Sequence, residues 1–323
     1  MKAIAWTKYG APEVLKVKDF EKPSPKSNEV LIKIHASTVT AGDCRLRAFN
    51  VPMGFWLPTR LVFGLIKPRV DIIGMEISGE VVSTGEEVTL FEKGDKVYGT
   101  SGMRLRANAQ YISLPEKSSL VKAPTNTSNE QAVATIFGGL TAIHFLRDKA
   151  NIQAGQKILI NGASGAVGTA SIQLAKYFGA EVTGVCSTSN IDLLKSLGAK
   201  KVIDYTKEKM IENNETYDVI LDAVGNLSLS QCKTLLAKDG KVILINAGLL
   251  TNLLSMTRKQ VICGVAGESK ESLTFLRERI EAGDIVAVID KVYPLTQTAE
   301  AHSYVDKGHK KGNVVIFVKH EKN

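Results

Sequence analysis

The sequence predicts an α/β protein: a doubly wound parallel sheet with strand-rich segments on either side of it in the chain. Three observations lead there. Apolar strand-like runs alternate with helical ones from residue 157 to residue 265. The first strand meets its helix through a glycine-punctuated turn, Asn161-Gly162-Ala163-Ser164-Gly165-Ala166-Val167-Gly168. Short runs broken by Pro and Gly fill the first third, and another strand-like run closes the chain.

Taken in order, residues 29–34 and 79–82 read as strands, with turns at Pro23, Pro25, Gly85 and Gly94. This part shows no long amphipathic helix. From Ser128 helical spacing continues to about Ala150, with an interruption expected at Gly138-Gly139. Residues 157–160 form the strand before the glycine turn. The helix that follows carries Val167, Ala170, Leu174 and Phe178 on one face, and residues 181–186 form a second strand. Strand, glycine turn, helix and strand make a βαβ unit. The helix N-terminus of such a unit offers free N–H groups and a positive dipole end to a phosphate. The alternation continues through a helix at 191–197 and strands at 201–205 and 219–222. A helix at 227–237, a strand at 241–245 and an edge strand at 260–265 complete the series. Continuous apolar strands separated by helices imply a parallel sheet covered on both faces. Helices at 271–282 and 299–307 and a strand at 313–318 complete the chain.

At 323 residues the chain has room for about two domains. Hydrophobic residues make up 44% and charged residues 23%, the balance of a soluble globular protein. The net charge is +8, but it is scattered, so we read it as a solvated basic surface and not as a nucleic-acid footprint. Cys44, Cys186, Cys232 and Cys263 are widely spaced and form no C-x-x-C pair. That argues against a disulfide scaffold or a cysteine zinc site and suits a reducing compartment. The first residues lack the apolar core of a signal peptide, and the most apolar stretch, 51–66, is broken by Pro52, Pro58 and Arg60. A cytoplasmic location is expected.

The end of the second strand bears on the nucleotide. Dinucleotide sites that take NAD place Asp or Glu there to hold the ribose 2′-hydroxyl. Here the loop reads Cys186-Ser187-Thr188-Ser189-Asn190. A carboxylate would repel a 2′-phosphate, whereas hydroxyls and an amide can hydrogen-bond it. NADPH is therefore expected over NADH, although the loop holds no Arg or Lys.

Further motifs carry a resemblance: Gly138-Gly139-Leu140-Thr141-Ala142, Val202-Ile203-Asp204-Tyr205, Asp222-Ala223-Val224-Gly225 and Gly308-His309-Lys310-Lys311-Gly312-Asn313. With the glycine turn and the loop after it, they resemble the quinone oxidoreductase branch of the medium-chain dehydrogenase/reductases. The resemblance implies a GroES-like catalytic domain made of residues 1–124 and 266–323, with an NADP(H)-binding Rossmann domain, 125–265, inserted between them. It places Thr141 near the nicotinamide amide and Ala163, Gly165, Ala166 and Val167 along the pyrophosphate. Ser187, Asn190 and Tyr205 would face the 2′-phosphate, and Val224, Gly248 and Asn313 would border the ribose or nicotinamide. Each of Thr141 and Tyr205 also has a purely structural reading, and Asn313 can equally begin a strand with a side-chain cap. Family members that bind zinc use Cys and a G-H-E histidine. Here Thr40 stands in the cysteine's place and Gly74-Met75-Glu76 in that of G-H-E, so no zinc is expected.

Without a Lewis acid, oxidation of an unactivated alcohol is disfavoured and reduction of a quinone or an α,β-unsaturated carbonyl is favoured. No residue announces itself as the proton donor; Asp43, Arg45 and Tyr111 qualify by type only. The apolar stretch containing Phe49, Pro52, Met53, Phe55, Trp56, Leu57 and Phe63 reads either as a wall for a flat acceptor, with Thr40, Phe55 and Trp56 in the pocket, or as interdomain packing. Combined with the positive charge, it also suggests peripheral membrane contact. Two alternatives to the reductase stand: a non-catalytic NADPH-binding protein with a structural or redox-sensing role, and a zinc alcohol dehydrogenase. A homodimer formed through the edge strand at 261–265 is expected from the resemblance.

Overall fold

The computed structural model describes residues 1–51, 54–212, 215–255 and 257–320. It divides into two compact units. One comprises residues 1–51, 56–137 and 268–323, and the other residues 52–55 and 138–267. The sequence places the change from strands to helices at 124/125 and the return at 265/266; the compact units meet at 137/138 and 267/268, inside a helix and inside a loop.

The first unit begins with β1 (Lys2–Trp6) paired antiparallel to β2 (Leu15–Asp19). Next come β3 (Glu29–Val39), α1 (Ala41–Ala48), α2 (Trp56–Phe63) and β4 (Glu76–Thr84). They are followed by β5 (Lys96–Thr100), β6 (Tyr111–Pro115), β7 (Leu120–Lys122) and α3 (Asn129–Ala142). The eleven residues of β3 make it long enough to serve three partners. Its first half pairs with β6, its last four residues pair with the final strand of the chain, and β4 runs along its other edge. Both faces of β3 are mostly buried, which is why Val30, Ile32, Ile34 and Val39 form the centre of this unit's core together with Trp6, Ile77, Val81 and Val314.

The second unit is a parallel sheet built from β8 (Lys157–Asn161), β9 (Glu181–Cys186), β10 (Lys201–Asp204), β11 (Tyr217–Asp222), β12 (Leu236–Leu244) and β13 (Val261–Cys263). Its connecting helices are α4 (Ala166–Tyr177), α5 (Ile191–Leu197), α6 (Leu229–Leu235) and α7 (Leu249–Ser255). The spatial order is β10-β9-β8-β11-β12-β13. The chain thus winds outward one way from β8 and then restarts at β11 the other way, the doubly wound arrangement. Ligands in such sheets bind outside the carboxyl ends of the strands where the order reverses, here at Asn161 of β8 and its register partner Asp222 of β11. The chain then returns to the first unit through α8 (Lys270–Glu281), β14 (Ile289–Pro294), α9 (Thr298–Asp306) and β15 (Asn313–Phe317).

Two sequence expectations need correction. The helix at 128–150 is not interrupted at Gly138-Gly139; α3 runs through both and widens into a π-helical stretch, Ile143–Lys149. Gly138 instead lets α3 approach the first turn of α4, since a Cβ on it would stand 2.3 Å from the Ala166 carbonyl oxygen. Every residue of α4 from Ala166 to Ala175 is buried, as expected of a helix covered on all sides. Finally, the helix expected at 227–237 stops at Leu235, where β12 begins several residues earlier than its apolar core suggests.

Candidate functional site

The glycine turn between β8 and α4 holds three glycines that differ in what the fold requires of them. Gly162 has φ +77°, a left-handed conformation that disfavours side chains. Gly168 sits so close to the turn that a Cβ would lie 2.3 Å from the Gly162 carbonyl oxygen and 2.5 Å from Ala163 Cα. Gly165 has neither reason. Its φ is −80°, and a Cβ there would meet only the Gly162 carbonyl oxygen at 3.6 Å, an ordinary contact. The space in front of Gly165 is open. Gly165 is also the N-cap of α4 and offers no side chain to the first-turn N–H groups of Ala166, Val167 and Gly168. An open cradle over uncapped N–H groups and a positive helix end fits a pyrophosphate.

The neighbouring loops complete the cradle. Asp222, fully buried, accepts hydrogen bonds from the backbone N–H of Val224, Gly225 and Leu227 and from Asn161 Nδ2 at 2.9–3.1 Å. One carboxylate thus shapes the loop after β11 and ties it to the end of β8, and it sets Val224 beside Gly162. Sequence reading treated Asp222 only as part of a motif; its role appears once β8 and β11 are neighbours. Gly248 lies just before α7, and its carbonyl oxygen accepts from the Asn252 N–H and Nδ2.

The loop after β9 follows the carboxyl end of the strand paired with β8. Asn190 Nδ2 donates to Ser187 Oγ at 3.2 Å, while Asn190 Oδ1 is buried without a protein partner. The Tyr205 N–H donates to the Cys186 carbonyl oxygen, which places Tyr205, largely exposed, beside this loop. Although no acid lies within residues 186–190, the fold brings one there. Asp204 accepts from the hydroxyls of Thr188 and Thr206, and these bonds hold its carboxyl down at about 2. Lys207 Nζ stands 3.6 Å from the same carboxylate. The β9 loop has no cation of its own, and Lys207, on the turn after β10, stands near it.

Of the expected cofactor residues, Thr141, Ala163, Gly165, Ala166, Val167, Ser187, Asn190, Tyr205, Val224 and Gly248 lie in the same compact unit. Thr141 is buried on the last turn of α3. Asn313 belongs to the other unit, where both its N–H and its Nδ2 donate to the Val288 carbonyl oxygen as β15 begins.

In the first unit, Thr40 caps α1. Its Oγ1 donates to Asp43 Oδ2 at 2.7 Å and accepts from the Asp43 N–H at 3.1 Å. Its hydroxyl is therefore committed to the helix end. A Cβ on Gly42 would stand 3.3 Å from Thr40 Oγ1 and 4.0 Å from the Met75 methyl, so the two departures from the zinc pattern are spatial neighbours. A capped hydroxyl and a thioether are a poor donor set for zinc. Among the described residues, no three His, Cys, Asp or Glu side chains are grouped to hold a metal. Beneath them, burial raises the carboxyls of Asp43, Glu76 and Glu268, and Asp43 and Glu268 each push Glu76 up further. Thr38 Oγ1 donates to Glu76 Oε2 at 2.7 Å, and Asp43 Oδ1 has no partner. Of the apolar stretch, Phe55 is half-buried and Trp56 is 54% exposed, while Pro52 and Met53 lie outside the described residues. Tyr111 pairs edge-on with His320 under Lys22, a surface cluster.

Comparison with known proteins agrees with this geometry. Residues 26–125 match the alcohol dehydrogenase GroES-like domain, and residues 197–316 match the family described as zinc-binding dehydrogenase. Quinone oxidoreductase of Sus scrofa is 32% identical over 94% of this chain and 93% of its own length. The NADPH-dependent alkenal/one oxidoreductase of Arabidopsis thaliana chloroplasts is 30% identical over 98% of this chain and 79% of its own. Among solved structures, the quinone oxidoreductase from Coxiella burnetii superposes with a TM-score of 0.87 at 27% identity, covering 99% of both chains. The doubly wound sheet, the GroES-like first part and relatives matched along nearly the whole chain make it a member of the medium-chain dehydrogenase/reductase superfamily, an oxidoreductase of the quinone oxidoreductase-like branch.

Proposed function

We propose that this chain is an NADPH-dependent reductase that passes hydride to a quinone or an α,β-unsaturated carbonyl without zinc. The observation that carries the reading is Gly165, a glycine with no conformational or packing reason of its own, facing open space over an uncapped helix end. The names of the pig and Arabidopsis relatives support the acceptor class and the nucleotide. Residues 125–265 would hold the nucleotide, and residues 1–124 and 266–323 the acceptor.

A bound nicotinamide supplies the hydride. The residues of this chain do the rest by position. Ala166, Val167 and Gly168 present N–H groups to the pyrophosphate, with Ala163 beneath them. Val224 and Gly248 border the ribose, and Thr141 and Asn313 serve the nicotinamide end. Neither Thr40 nor Met75 makes a Lewis acid of the acceptor side. The acceptor must therefore delocalise its own developing charge, as a quinone or enone does. Turnover of NADPH with a panel of quinones, enones and aldehydes in the presence of a chelator tests this. Tight NADPH binding with no turnover on any acceptor would sink it, as would activity lost with the chelator and restored by zinc.

The preference for NADPH rests on Ser187 and Tyr205, whose hydroxyls can donate to a 2′-phosphate, and on the nearby Lys207. Ser187→Asp places a carboxylate where the 2′-phosphate would lie and is expected to raise the NADPH KM about tenfold while lowering that for NADH. Lys207→Ala is expected to raise the NADPH KM about fivefold and leave NADH unchanged. Steady-state constants for both nucleotides decide the matter; equal effects on the two would remove the assignment. The open edge of β13 is where a homodimer would extend the sheet, and sedimentation as a monomer would contradict that.

A further inference from the structure

The most exposed apolar surface of the first unit lies on α2 and the turn after it. Trp56, Leu57, Leu61, Val62, Leu65 and Ile66 all face solvent, Leu65 at 55% and Ile66 at 92%. Soluble proteins seldom leave so many large apolar side chains exposed in one run unless something covers them.

The surface is built firmly. Arg60 is stacked against the rings of Tyr9, Phe49 and Trp56 at 4.1, 3.9 and 5.2 Å, and its Nη1 donates to the Leu65 carbonyl oxygen. Gly64, at φ +120°, turns the chain so tightly that a Cβ would strike the Lys67 carbonyl oxygen. Tyr9 Oη donates to the Gly64 carbonyl oxygen, and the Arg69 N–H donates to that of Phe63. Leu65, Ile66 and Lys67 are therefore held at the tip of a fixed turn, with their side chains outward.

Its charge has one sign. From Cys44 to Val70 the chain contains no Asp or Glu, and Arg60, Lys67 and Arg69 fall on α2 and the turn after it. Lys67 and Arg69 are exposed beside Leu65 and Ile66. Asp71, the next acid, is paired with Arg106 at 3.0 Å. A second copy of the chain fits poorly here, because a two-fold contact would set Lys67 and Arg69 against the same patch. Apolar side chains at a tip, a tryptophan at their edge and a cationic rim together match the surface of a bilayer that carries anionic headgroups.

We propose that α2 and the turn after it dock this protein on anionic membrane surfaces, with Leu61, Leu65 and Ile66 entering the headgroup region and Lys67 and Arg69 on the phosphates. The full chain is tested by flotation with vesicles of phosphatidylcholine alone and with phosphatidylserine added. Binding is expected only to the second and weakens as salt rises. Ile66→Glu is expected to lower partition at least about tenfold, and Lys67→Glu about tenfold at low salt. Both variants should keep the parent's melting temperature and its turnover with a water-soluble quinone. Lack of binding to the anionic vesicles overturns the proposal, and so does equal binding to both kinds. A change in the sedimentation of the free protein on Ile66→Glu would also overturn it, by assigning the patch to a second copy.

Discussion

Gly165→Val is expected to abolish NADPH binding while leaving the protein folded. The backbone at Gly165 is extended, with φ −80° and ψ 179°, a conformation that valine adopts readily. A Cβ there has one neighbour, at 3.6 Å, so the branched side chain enters open space and not the core. That open space is where the pyrophosphate would approach the N–H groups of α4. Displacing it by the width of an isopropyl group removes those hydrogen bonds, and affinity is expected to fall at least about 100-fold. Thermal unfolding of the free protein should be nearly unchanged, and NADPH should no longer raise the melting temperature. Gly168→Ala is the contrasting variant. Its Cβ would meet backbone atoms at 2.3 and 2.5 Å, which cannot rotate away, so it is expected to cost roughly 3 kcal/mol of stability even without nucleotide. Gly165→Val that retains NADPH binding would remove the central observation behind the proposed function. Equal destabilisation by both variants would show instead that Gly165 is a packing glycine.

The second large effect is on acid stability. Ring nitrogen Nδ1 of His302 on α9 lies 3.3 Å from Cys44 Sγ on α1, and its Nε2 is buried with no partner. Burial, helped by Arg47, pushes this histidine down to about 3. The guanidinium of Arg47 is itself buried and paired with Asp306 at 2.7 Å, and burial lowers the nearby Lys310 to about 8. The folded protein therefore keeps His302 neutral, whereas the unfolded chain protonates it near 6.5. The unfolded state binds the extra proton between these values. The contribution of His302 is therefore complete above about pH 6.5 and is lost as pH falls from there toward 3. At about 1.4 kcal/mol per pH unit the whole window is worth roughly 5 kcal/mol. Burial raises Asp43 and Glu76 and so contributes with the opposite sign, stabilising at low pH and less so as pH rises. The informative quantity is consequently the difference between wild type and His302→Asn. Denaturant unfolding at pH 7, 6, 5 and 4 should give curves that converge as pH falls. A constant offset across that range would mean that His302 does not titrate on unfolding.

The parallel sheet could be read from the chain because its causes are local. Apolar runs such as Val219 to Leu221 and the glycine turn after β8 need only neighbouring residues to declare strand and turn. The same holds for the absence of a carboxylate at Ser187 to Asn190, which set the nucleotide expectation. The short helices α1 and α2 gave a weaker signal. The first depends on the capping pair Thr40 and Asp43, and the second starts near Pro58 in a stretch that reads simply as apolar.

What only the folded chain decided are contacts between distant segments. Three glycines in one turn look alike as letters, yet one is required for its positive φ, one for a close approach within the turn, and one for neither. Gly138 reads as a helix breaker until α4 is placed against it, because the reason for it is the Ala166 carbonyl oxygen. Lys207 joins the β9 loop because β10 lies beside β9. His302 and Cys44 are 258 residues apart, and no periodicity links them. Local spacing records which face of an element is apolar. Tertiary packing determines which buried polar atoms find partners, which remain alone, and therefore which groups titrate and which glycine is left open to a ligand.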